Sequence, residues 1–192
     1  MSYKLSGNWK WGSAYDIHTL KSDKKVDQWG QESWDTERSK MGELVYRLKY
    51  RNEKHVAVQI VDLLFAEYKS LNIANLVIPV PPSLTSHRAF QPVFEISYEI
   101  ARRLEVAILY DVLSKSSGEE IKRIDDIDMR KEILRKNMSI RMDQRIVGKR
   151  ILLVDDLYRS GATLNVATEL LYDVGNVSAV YVLTMTKTRT KI

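Results

Sequence analysis

ILLVDDLYRSGATL, residues Ile151 to Leu164, is the stretch from which the fold is read. Ile151, Leu152, Leu153 and Val154 form an apolar run without polar interruption, the pattern of a strand buried on both faces of a parallel sheet. Asp155 and Asp156 stand at its carboxyl end. In open α/β sheets the crevice outside such strand ends is where ligands bind, because loops leave the sheet there and helices begin. Ser160, Gly161, Ala162 and Thr163 then precede a helical pattern in which Leu164, Ala167, Leu170 and Leu171 recur.

The two halves of this stretch suit two different groups. Free backbone N–H groups and the positive end of a helix dipole favour an anion such as phosphate. Gly161 lets the backbone approach it without a Cβ, and the Ser160 and Thr163 hydroxyls are donors. Carboxylates repel phosphate, so Asp155 and Asp156 must serve another group. An ionised carboxylate only accepts hydrogen bonds, and the vicinal hydroxyls of a ribose offer two donors. The stretch therefore suits a sugar phosphate held at both ends. An Asp-Asp pair alone would also fit a solvated turn followed by a helix capped by Ser160; strand, diacid, glycine turn and helix in order say more than the pair does.

Working outward, strands are expected near Leu76 to Val80, Val106 to Tyr110 and Val177 to Thr184. Helical patterns fall at Leu44 to Tyr50, at Val56 to Tyr68 with Val56, Ile60, Leu63, Leu64 and Tyr68 on one face, and at Val93 to Leu104 with Val93, Ile96, Ile100 and Leu104 inward. Alternating strands and helices argue for an α/β three-layer sandwich with a mainly parallel central sheet and helices on both faces. Pro79, Pro81 and Pro82 lack donors and suit a strand end or loop.

Composition bounds the rest. The chain has 192 residues, 44% of them hydrophobic, enough for one substantial core. It has no cysteine, which excludes disulfides and any Cys-ligated zinc. No apolar run approaches the roughly twenty residues of a membrane-spanning helix, and Met1 to Lys40 carries no apolar signal core, so a cytoplasmic protein without a membrane partner is expected. Lys115 to Arg150 holds 11 basic and 7 acidic residues, most of the chain's net charge of +5. Charged helices solvated on one face would explain Ile124, Ile127, Met129, Ile133 and Leu134 in that region. Two units are expected: a Trp-rich N-terminal extension, residues 1–40, packed on a core domain of residues 41–192. Trp9, Trp11, Trp29 and Trp34 either anchor that extension or, interleaved with lysines, form a stacking platform for single-stranded nucleic acid. His18 is a lone histidine and reads as structural.

The Ile151–Leu164 stretch resembles the PRPP-binding signature of type I phosphoribosyltransferases: aliphatic residues, two acids, a few variable positions and Thr-Gly-x-Thr. The resemblance implies that Asp155 and Asp156 hold the ribose 2′- and 3′-hydroxyls, and that Tyr158, Arg159, Ser160, Gly161, Ala162 and Thr163 bind around the 5′-phosphate. Residues 75–104, NLVIPVPPSLTSHRAFQPVFEISYEIARRL, resemble the ComF-like branch, in which a Pro-Val-Pro strand end precedes an Arg-Gly-Phe-Asn loop. Here the loop reads Arg88-Ala89-Phe90-Gln91, so its details do not carry over. On this resemblance Arg88 is expected to reach diphosphate, Lys115 to assist catalysis with Asp155 and Asp156, and the 115–150 region to form a flexible flap over the site. Mg²⁺ is expected as cofactor, carried by PRPP, with Asp155 as the one candidate protein ligand.

The implied activity is transfer of phosphoribosyl from PRPP to an unidentified nitrogen acceptor with release of pyrophosphate. In hypoxanthine and guanine salvage relatives the residue before Thr-Gly is commonly an aspartate that handles a purine proton. Arg159 stands there, and a guanidinium has no acceptor. Ordinary hypoxanthine or guanine salvage is therefore not expected. The alternative is a ComF-like accessory protein in DNA uptake or processing that binds PRPP or a nucleotide as effector, with single-stranded DNA or a DNA-processing protein as partner. A homodimer is compatible with either.

Overall fold

The strand at the centre of the molecule is longer than its four aliphatic residues suggest. In a computed structural model, which describes residues 2–69, 71–82, 90–116 and 126–189, the strand runs Arg150–Tyr158 (β9) and carries both aspartates within it. Six strands make the main sheet, in the order Tyr3–Lys4 (β1), Trp11–Ile17 (β2), Ala179–Lys187 (β10), β9, Leu76–Pro79 (β5) and Ala107–Ile108 (β6). All neighbours are parallel except β1 and β2. Leu153 sits between Val182 of β10 and Ile78 of β5.

Helices cover both faces, which is why Ile151 to Val154 can all be apolar. Leu152 and Val154, with Val77, Leu183 and Met185, pack against Lys40–Tyr50 (α1), Val56–Glu67 (α2) and Pro92–Leu104 (α3). Ile151 and Leu153, with Ile78, Val180 and Val182, pack against Ile127–Asn137 (α4) and Ala162–Asp173 (α5). Full burial of each such side chain contributes about 2 kcal/mol. On α2, Val56, Ile60 and Leu64 are buried and Leu63 is half-buried, as is Tyr68 just past its end; on α3, Val93, Ile96 and Ile100 are buried and Leu104 is half-buried.

Local chemistry sets the helix ends. Ser39 caps α1, its hydroxyl accepting from Gly42 N at 3.0 Å. A Cβ on Gly42 would lie 2.1 Å from the His18 carbonyl oxygen, so only glycine lets α1 start against the end of β2. Pro92 opens α3 at a position where a missing N–H costs nothing. The strand expected at Val106 to Tyr110 shortens to β6, although Leu109 N still donates to Val77 O at 3.1 Å.

The first forty residues divide in two. Residues 3–17 supply β1 and β2, and Trp9 is buried, its indole N–H donating to Leu5 O at 3.1 Å. Thr19–Val26 (β3) and Glu32–Arg38 (β4) pair only with each other, as a hairpin. Trp29 at its turn and Trp34 on β4 are 77% and 65% exposed. β2 has no aliphatic run to announce it: its buried residues are Gly12, Ser13 and Ala14, and its large side chains Trp11 and Tyr15 are half-buried against the layer of α1, α2 and α3; β3 and β4 are mostly exposed.

The lysine-rich region folds on the α5 side of the sheet. Leu113–Lys115 (β7) and Met138–Ile140 (β8) pair antiparallel on either side of α4. Leu134 and Met138 are buried, Ile133 is half-buried and Met129 is exposed; Ile124 lies outside the described residues. Arg135 of α4 forks onto Glu169 of α5 at 3.0 and 3.1 Å. Among the described residues no helix is long and apolar enough to cross a membrane.

Candidate functional site

Unequal strand lengths make the crevice. β5 ends at Pro79, opposite Val154, and Val80 N closes that ladder on Val154 O at 2.8 Å. β9 and β10 run on together to Tyr158 and Lys187. The two aspartates therefore lie one and two residues beyond the last β5 pairing, still held straight by β10 on their other side.

Alternation along β9 sends the carboxylates to opposite faces. Asp156 follows Leu152 and Val154 toward α1, where Lys49 Nζ donates to its Oδ2 at 2.8 Å. Both side chains of this pair are less than one-fifth exposed. Burial disfavours the Lys49 ammonium, but the charge and hydrogen bond of Asp156, with Asp155 behind it, outweigh this and raise its pKa. Asp155 follows Ile151 and Leu153 toward α5, and its Oδ1 accepts from the Asp156 N–H at 2.8 Å. Burial, reinforced by the Asp156 charge, pushes the Asp155 carboxyl up to about 7 against the pull of that N–H, Lys49 and Lys115.

The turn after the strand is built round Gly161. It sits at φ +75° as the N-cap of α5, without a side-chain cap on the helix. A Cβ there would meet the Tyr158 ring and hydroxyl at 2.8 to 3.0 Å, so Tyr158 folds over the turn only because the residue is glycine. Ser160 is not the cap; its hydroxyl accepts instead from Arg130 Nη1 of α4 at 3.4 Å. Arg159 is exposed, Ser160 and Thr163 are half-buried and Ala162 is buried. Lys115 ends β7, near enough to Asp155 for its charge to act there. It lines a cavity of about 400 Å³ with Pro81, Pro82, Tyr110, Lys136 and Asn137. The structure thus gathers Asp155, Asp156, Lys115 and the Tyr158–Thr163 turn at one edge of the sheet; Arg88 lies outside the described residues.

Three groups at this edge carry no local sequence signal. Lys49 meets Asp156 across 107 residues. His18 Nδ1 lies 3.0 Å from Thr186 Oγ1, and that hydroxyl donates to the Asp156 carbonyl at 3.1 Å. Burial, then the Lys49 and Arg38 charges, lower the His18 pKa against the opposing pull of Asp156.

No family model and no curated protein sequence matches this chain. Solved structures do. Orotate phosphoribosyltransferase from Aeropyrum pernix is 16% identical, with 86% of this chain and 75% of that chain covered and a TM-score of 0.43. Adenine phosphoribosyltransferase from Thermoanaerobacter pseudethanolicus is 14% identical over 86% of this chain and 95% of that one, at a TM-score of 0.43. Glutamine PRPP amidotransferase from B. subtilis, complexed with ADP and GMP, is 18% identical over 84% of this chain, which spans 35% of that longer one, at a TM-score of 0.48.

Proposed function

We propose that this protein binds PRPP and transfers its phosphoribosyl group to a nitrogen acceptor, releasing pyrophosphate. The observation that carries the reading is the assembly of a diacid on the central parallel strand with the glycine turn and helix N-terminus that follow it, next to the step left by β5. In this reading Asp155 and Asp156 accept the ribose 2′- and 3′-hydroxyls. Asp156 has Oδ1 for this, since Lys49 holds Oδ2. The backbone N–H groups of α5, with Ser160 and Thr163, take the 5′-phosphate, and Tyr158 and Arg159 border it. Lys115 faces the departing diphosphate from the other side of the crevice, where a fixed cation offsets growing negative charge. Binding at the remote phosphate then holds C1 in place for attack.

The site fits Mg²⁺ that arrives with the substrate. Among the described residues no cluster of three or more His, Cys, Asp or Glu side chains could hold a metal. Lys49 already neutralises Asp156, and Asp155, with Oδ1 accepting from the Asp156 N–H, would offer its other oxygen as the candidate protein ligand. Mg²⁺ is commonly held by one or two carboxylates plus substrate phosphates, which matches. Bound there with PRPP, it would neutralise diphosphate charge.

The Arg159 guanidinium is exposed beside the turn and has no acceptor for a purine proton, so hypoxanthine or guanine is not the acceptor; conversion of either base by the purified protein would overturn that statement. Titration calorimetry with PRPP and Mg²⁺, followed by a pyrophosphate-release screen over nitrogen acceptors, tests the whole reading. Binding is expected, and D155N/D156N is expected to abolish it while leaving the circular dichroism spectrum unchanged. A double variant that binds like the parent refutes the site. Binding without release for any acceptor turns the conclusion to a ComF-like accessory protein that uses PRPP as an effector.

A further inference from the structure

We infer that His18 is the group that receives the acceptor's proton during transfer, with Thr186 fixing which ring nitrogen is free to take it. The inference rests on the phosphoribosyl-transfer reading and fills the gap that Arg159 leaves in it. A nitrogen nucleophile carrying N–H must lose a proton as its bond to C1 forms. Arg159 cannot take it, Lys49 is an ammonium bonded to Asp156, and the two carboxylates are assigned to the ribose.

The tautomer follows from hydrogen counting. A threonine hydroxyl has one proton, and that of Thr186 goes to the Asp156 carbonyl, which can only accept. The Thr186 oxygen therefore accepts from His18, so Nδ1 carries the ring proton and Nε2 has the lone pair. The backbone around the ring is equally fixed. His18 N donates to Lys187 O at 2.8 Å, and its carbonyl rests against Gly42 at the start of α1. Through Thr186 the imidazole is two hydrogen bonds from the backbone of the diacid, at the same edge of the sheet.

Charges around the ring keep it neutral until it is needed. Burial opposes protonation most, Lys49 of α1 and Arg38 of β4 oppose it further, and Asp156 of β9 pulls the other way. A base of this kind is neutral at pH 7 and accepts a proton when charge moves nearby. The step balances simply. The acceptor's nitrogen lone pair forms the bond to C1, the C1–O bond breaks with its electron pair leaving on diphosphate, and the N–H proton passes to Nε2. The resulting imidazolium returns its proton to solvent.

The test has two arms on the full chain. Long-range ¹⁵N–¹H spectra of ¹⁵N-histidine protein, with H18Q assigning the signal among three histidines, should show a protonated Nδ1 and a bare Nε2 at pH 7. T186V should lose that preference. A ring protonated at Nε2, or charged at pH 7, overturns the inference. In the second arm H18Q should bind PRPP as the parent does and release pyrophosphate 10²-fold or more slowly to whichever acceptor the screen identifies. It should also lose the fall in rate that the parent shows as pH drops below the ordinary histidine value. If the parent turns over and H18Q matches it in rate and pH profile, His18 is not the base while the transfer reading stands. If the parent binds no PRPP, or binds and never releases pyrophosphate, the transfer reading falls and this inference with it.

Discussion

Asp155 and Asp156 are neighbours in sequence and opposites in environment. Asp156 is paired with Lys49 at 2.8 Å in a largely buried position. Removing one partner of such a pair strands the other charge, at a cost of about 3 kcal/mol. K49M should therefore lower the unfolding free energy by about that amount in urea titrations, and K49M/D156N should recover most of it; equal losses in both variants would mean that the pair is not coupled. Asp155 behaves in the other sense. Its carboxyl titrates near 7 in the fold against 3.8 in the unfolded chain, so the folded state holds the proton more tightly. Its contribution is then present below about pH 4 and is lost as pH rises toward 7. D155N should flatten that part of the pH–stability profile and stabilise the protein at pH 7 to 8; on the proposed reading it also loses PRPP, a cost in stability of the kind that functional sites commonly carry. At this scale the sequence is legible where the chemistry is contiguous. The diacid and Gly161 lie within seven residues of each other. Lys49, His18 and Thr186 reach them only through the tertiary fold, and no local pattern marks a lysine in the last turn of a helix as anything but a complement to the helix dipole.

Among elements, the β3–β4 hairpin stands apart. It pairs with no other strand, its two large indoles face solvent, and its lysines are matched internally: Lys21 with Asp23, Lys24 with Glu32 and Lys25 with Asp35. A nucleic-acid platform needs cations free to neutralise phosphates. This hairpin spends these three on its own carboxylates. W29S/W34S should change the unfolding free energy by no more than about 0.5 kcal/mol, because neither indole is part of the core; a larger loss would mean that the indoles, as well as Arg38 over the Tyr46 ring, anchor the hairpin on the domain. Long apolar elements were the readable ones. β9, β10, α2 and α3 announce themselves by runs or helical spacing, with boundaries off by a few residues. The strand ends were misjudged because β10 supports β9 past the last aliphatic residue, and backbone pairing of that kind has no side-chain signature.

For the whole molecule, the layered α/β architecture follows from strands that are apolar on both faces and so demand cover on both. The order of strands does not follow, because it depends on which edges find each other in space. Here the outcome is that β2, residues 11–17, pairs with β10, residues 179–187. During synthesis at roughly 5–20 residues per second, β2 leaves the ribosome on the order of ten seconds before the strand it needs. Until then the first stretch of the sheet is an unpaired edge, and so is the flank of β9 that β10 will cover. The candidate site at the end of β9 is thus among the last parts of the nascent chain that can be completed, and a chain stopped short of Ala179 would carry every residue of the diacid and its glycine turn without the strand that holds them in line.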